Sequence, residues 1–213
     1  MSSCSSEFDR FVDVYKNGGT LRLETQAITR NAKTLFDRAK IVSKLEQAKL
    51  LRELSETLFE SQPPFRDLAL NASLVQQEFY RYLEDDILIM AAFELFAKAF
   101  LLKCGYLIHK IKSPSNLHKQ QNRKPVSFST YRAELKRRED IQLLLQTLSV
   151  STLLKTEYVR LLEFAPEVVS ELSRINERRN KIHLVLCGTV KMDMKALRAI
   201  EYLGQRINAE LIF

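Results

Sequence analysis

Tryptophan is absent from this chain of 213 residues, and glycine and proline occur only five times each. So few turn-formers argue against an all-β chain with many tight turns and favour long helices. Cysteine is scarce too: Cys4, Cys104 and Cys187 are odd in number, far apart and without CxxC spacing, which excludes a disulfide framework and makes reduced thiols the default. Only three histidines are present. His109 and His118 sit in a lysine-rich stretch with no carboxylate pattern resembling a metal triad, so no metal and no cofactor are expected. No apolar run approaches the roughly 20 residues of a membrane span. The longest, Ile87 to Gly105, is interrupted by Glu94, Lys98 and Lys103. Met1 to Glu7 lacks the basic start and apolar core of a secretory signal, so a cytoplasmic protein with no membrane partner is expected.

What the chain does hold is charge and helical periodicity. Hydrophobic residues make up 46% and charged ones 28%, a balance that gives a globular protein rather than a disordered one. Its formal net charge of +7 sets up a field that attracts polyanions such as nucleic acid, or acidic lipid. Glu7 to Lys16 reads as a short amphipathic helix capped by Ser5 or Ser6 and broken by Asn17-Gly18-Gly19-Thr20. From about Leu23 to Phe59, leucines recur at helical spacing, giving two helices or one bent one that stops before Gln62-Pro63-Pro64. That Pro-Pro pair sets the expected boundary between an N-terminal helical extension, 1–62, and a helical bundle, 63–213.

Beyond it a helix runs from roughly Phe65 to Cys104, with a break expected near Glu84-Asp85-Asp86. Its second half is apolar on most sides, as a central core helix must be, and Gly105 is placed to cap it. Ser113 to Ser129 reads as a polar loop. Helices are expected again over Tyr131–Leu148, Thr152–Phe164, Pro166–Leu186 and Asp193–Leu211, with Pro166 in a first turn. Nothing reads as a strand and there is no internal repeat, so the expected fold class is all-α.

The chemistry-bearing stretch is Arg178-Arg179-Asn180-Lys181-Ile182-His183. Arginine presents a permanently charged planar fork suited to phosphate, and histidine can carry a proton either way near neutrality. A phosphate clamp beside a proton shuttle is what metal-free cleavage of a phosphodiester requires. Val168, Leu172, Ile175, Ile182 and Leu186 form an apolar stripe on this helix, and Arg179 falls on it, four residues after Ile175. An arginine there needs a paired carboxylate, for which Glu94 is a candidate, or a cleft or interface to open into. Lys119, Arg123 and Lys124, followed by Arg132, Lys136, Arg137 and Arg138, form a basic cluster able to lead RNA toward such a site, or simply a solvated face. Phe128 and Tyr131 stand nearly alone there as aromatics.

These residues resemble the HEPN domains, helical bundles whose signature is Arg, four to six intervening residues, then His, at the end of a core helix. Arg178 to His183 fits with four intervening residues, whereas Arg179-Asn180 matches the frequent Arg-Asn pair but leaves three before His183. Phe93 to Leu102 followed by Gly105 looks like the apolar first core helix of the family, with Glu94 as its polar, supporting residue. The likeness extends over roughly Ser73 to Phe213. It implies a HEPN-like bundle acting as a metal-independent endoribonuclease of toxin or phage-defence type, with two protomers forming one composite site. In that reading His183 is the acid or base, Arg178 or Arg179 the phosphate clamp and Asn180 an orienting donor. Lys119, Arg123, Lys124, Arg137 and Arg138 would bind RNA, and the partners would be RNA, a second copy, and an antitoxin or nucleotidyltransferase. The alternative is a catalytically silent HEPN-like module that binds nucleic acid or a protein partner.

Overall fold

A computed structural model describes residues 3–39, 65–112, 117–138, 140–180 and 194–212. The described chain is mostly helical. In order it comprises α1 (Ser3–Asn17), α2 (Arg22–Arg38), α3 (Phe65–Lys103), β1 (His109–Lys112), α4 (Leu117–Gln121), α5 (Phe128–Arg137), β2 (Gln142–Thr147), α6 (Val150–Leu153), α7 (Thr156–Leu161), α8 (Pro166–Asn180) and α9 (Met194–Ile212). Its contacts group into two compact units. One holds residues 1–32, 93–164 and 210–213, the other 33–92 and 165–209. The boundary expected at Gln62-Pro63 lies outside the described residues.

In the first unit the C-terminal half of α3 supplies the core. Phe93, Phe96, Ala97 and Leu101 are fully buried at i, i+3, i+4 and i+8, and Phe164 lies almost parallel to Phe96, ring centroids 5.9 Å apart. Seating Phe164 there forces the preceding residue, Glu163, into left-handed backbone at φ 58°. The turn closes with Glu163 N–H donating to Arg160 O and Phe164 N–H to Val159 O, a Schellman ending built on a residue with a Cβ. The equivalent ending of α3 uses Gly105 at φ 77°, with Gly105 and Tyr106 donating to Leu102 O and Leu101 O. The capping expected there is found.

The absence of strands expected from the sequence needs correction. β1 and β2 pair antiparallel, His109 opposite Thr147 and Lys112 opposite Gln142, with an irregularity between His109 and Ile111. Helix α5 therefore stops at Arg137, and Gln142 to Thr147 extends as a strand instead of continuing the helix expected to Leu148. Leucine and glutamine favour helix, but pairing with β1, whose partners lie 30 to 38 residues earlier in the chain, overrides that preference. The expected polar loop also contains α4. In the second unit Ile89, Met90, Leu172, Ile175, Ile200, Leu203 and Ile207 are fully buried. No break occurs at Glu84-Asp85-Asp86, where α3 is continuous.

Candidate functional site: the basic end of α8

Helix α8 begins at Pro166, whose fixed φ and missing N–H suit a first turn, and carries Glu167 beside its positive end. Arg178 and Arg179 occupy the last turn, where cations complement the unpaired carbonyls. Leu172 and Ile175 anchor its inner face with no exposed surface. One turn on, the two arginines diverge.

Arg178 points back to α3. Its Nε donates to Asp86 Oδ2 at 3.0 Å and its terminal nitrogen to Oδ1 at 3.4 Å, a two-pronged ion pair with a carboxylate of zero exposure. A carboxylate that deep is tolerated only with such a partner. The pair removes the reason to expect a helix break at Asp85-Asp86. Asp86 falls in phase with Ile89, Met90 and Phe93, on the core side of α3, and that phase is the signal by which it was legible. Arg179 is half-buried and has no acidic partner among the described residues, while Asn180 is exposed. The last turn of α8 thus brings Arg178, Arg179 and Asn180 together. His183, with Lys181 and Ile182, lies outside the described residues.

The other candidate residues belong to the first unit. Glu94 accepts from Lys98 Nζ at 2.5 Å, and the same ammonium donates to Thr147 Oγ1 at 2.8 Å. Lys119, Arg123 and Lys124 are exposed and, with Gln120 and Glu157, line an open depression of about 600 Å³. Arg137 and Arg138 are not part of its lining; Arg137 is largely exposed and reaches Glu134 at 3.4 Å, and Arg138 caps α5. His109, which by sequence sits in a lysine-rich stretch, is a core residue. Its Nδ1 shares a 3.0 Å hydrogen bond with the hydroxyl of Tyr15, and the rings of Phe8 and Phe11 lie 5.2 and 5.0 Å away. Burial, reinforced by the nearby Lys98 ammonium, lowers its pKa to about 4. Burial also raises the Tyr15 phenol and pushes Tyr131 up to about 12.

A separate cavity of about 400 Å³ lies between α2 and the end of α3, floored by Leu21, Leu102 and Phe128 and bordered by the Lys103–Glu210 ion pair at 2.8 Å. No helix among the described residues is long and apolar enough to cross a membrane. No protein-family model, no curated protein and no solved structure matches the chain.

Proposed function

We propose that the chain is a HEPN-like, metal-independent endoribonuclease of toxin or defence type, acting as a homodimer, in which Arg179 rather than Arg178 clamps the scissile phosphate. The observation that supports this assignment is the engagement of Arg178 with buried Asp86. That pair fixes the end of α8, while Arg179 stays half-buried without an acidic partner among the described residues, beside exposed Asn180. A guanidinium so placed keeps its donors for a phosphate, and its partly covered position suits closure by a second copy. In the proposed reaction the RNA 2′-OH loses its proton and attacks the adjacent phosphorus, the P–O5′ bond breaks, and the 5′-oxygen leaves with a proton, so that a 2′,3′-cyclic phosphate and a 5′-hydroxyl end result. His183 takes or delivers the proton, Arg179 stabilises the charge growing on the phosphoryl oxygens, and Asn180 orients them.

The test is cleavage of RNA by the purified dimer in excess EDTA, leaving a 2′,3′-cyclic phosphate. His183→Ala should lower the rate by about 10²- to 10⁴-fold with the helical signal unchanged. Absence of cleavage, or cleavage only with added divalent metal, would refute the reading. The engagement of Arg178 also favours a second reading, because the arginine at the regular four-residue spacing is the one already occupied. A catalytically silent module would bind RNA or a protein partner in these assays and leave RNA uncut.

A further inference from the structure

The turn after α4 is held from two sides. Gln121, almost wholly buried, donates to His109 O at 2.8 Å and accepts from the Ile111 N–H at 3.0 Å, which stitches α4 to β1. From α7 the Tyr158 hydroxyl donates to Gln121 O at 2.6 Å, and the Lys155 ammonium donates to Asn122 O. A segment fixed in this way still sends its outer side chains, Lys119, Arg123 and Lys124, into solvent, and none has an acidic partner among the described residues. Among the described residues one acid, Glu157, lines the depression they form, and it is drawn to Arg160 at 3.3 Å. With the backbone of the turn already ordered, docking a polyanion on these three cations costs side-chain freedom alone.

Among the described residues no aromatic side chain lines that depression. Tyr131 and Tyr158 are turned into the core, and Phe128 packs on Tyr15, ring centroids 4.9 Å apart. The guanidinium of Arg123 is the one flat group this lining gives an unpaired base, whereas single-strand sites add aromatic platforms to their charged grooves. What the face offers is point charges for phosphates and the Gln120 amide for a 2′-hydroxyl. In a double helix the bases are already stacked on each other, and the backbone is what remains to be read.

We propose that this face between α4 and α7 is a sequence-independent seat for the sugar–phosphate backbone of base-paired RNA. Choosing RNA as the polyanion rests on the endoribonuclease reading, although the seat uses none of the α8 motif. The full chain carrying His183→Ala, so that the probe stays intact, is titrated with an RNA duplex of about 16 base pairs and with oligo(U) of equal length. Salt is varied between about 50 and 200 mM. The duplex should bind about tenfold tighter than oligo(U), and Arg123→Ala with Lys124→Ala should lower the salt slope by about 2 with the thermal midpoint unchanged. Glu157→Gln, which removes the acid, should tighten duplex binding about threefold. Oligo(U) binding as tightly as the duplex overturns the proposal, as does an unchanged slope in the double variant. Equal binding of anionic lipid vesicles overturns it too, by showing an indiscriminate cationic surface. RNA cleavage by the unaltered chain is scored separately: cleavage with an unchanged slope removes the seat and leaves the ribonuclease. A duplex-selective slope change without cleavage removes the ribonuclease and leaves the seat.

Discussion

Replacing Arg178 by alanine strips the Asp86 carboxylate of its two guanidinium bonds while leaving it at zero exposure on α3. Breaking one partner of a buried pair costs about 3–5 kcal/mol, because the remaining charge cannot be rehydrated without opening the core. At the lower limit of that range the expected loss is about 3 kcal/mol. For a chain of this size that corresponds to a drop of roughly 6–12 °C in thermal midpoint, read by calorimetry or circular dichroism. Arg178→Lys should recover only part of it, since an ammonium cannot make the two-pronged contact. Asp86→Leu combined with Arg178→Met should come close to the parent stability, as both desolvation costs vanish together. Arg179→Ala, by contrast, should cost less than about 0.5 kcal/mol, while lowering RNA cleavage. A double-mutant cycle with a coupling below about 0.5 kcal/mol would refute the pair as the anchor of α8. So would an Arg178→Ala midpoint equal to that of the parent. The catalytic assignment would then move to Arg178.

Acid should weaken the first unit through His109. Its pKa of about 4 in the fold lies below the ordinary 6.5, so the unfolded chain binds the extra proton between those values. Stability is then full above pH 6.5 and falls by about 3 kcal/mol as pH drops toward 4. Urea midpoints should show this loss in the parent and a smaller one in His109→Gln; parallel curves would refute it. Glu163→Gly should raise the thermal midpoint, since glycine relieves a left-handed cost of about 1–2 kcal/mol against a smaller loss of chain entropy. A lower midpoint would show that the Glu163 side chain outweighs the strain. Gly204→Ala should destabilise by about 1 kcal/mol: the added methyl would lie 2.5 Å from the Phe36 ring, and displacing that ring outweighs alanine's helical gain. Unchanged unfolding would mean that the ring swings aside freely.

Much of the helical framework follows from the sequence alone, because its causes are local. Residues a few positions apart decide whether a helix buries one face, and Gly18-Gly19, Gly105 and Pro166 punctuate the chain through their own backbone preferences. The Arg178–Asn180 turn, too, is set by local spacing. What only the tertiary structure decided involves partners far apart in the chain. The β1–β2 ladder depends on two segments meeting, and neither carries a strand signal strong enough by itself. Tyr15 and His109 are 94 positions apart, and their bond turns a histidine of a lysine-rich stretch into a core residue. Asp86 and Arg178 are 92 apart, so composition alone left both arginines of the motif equivalent. A buried charge needs a counter-charge, but its position in the chain does not say which one; the packing of α8 on α3 made that choice.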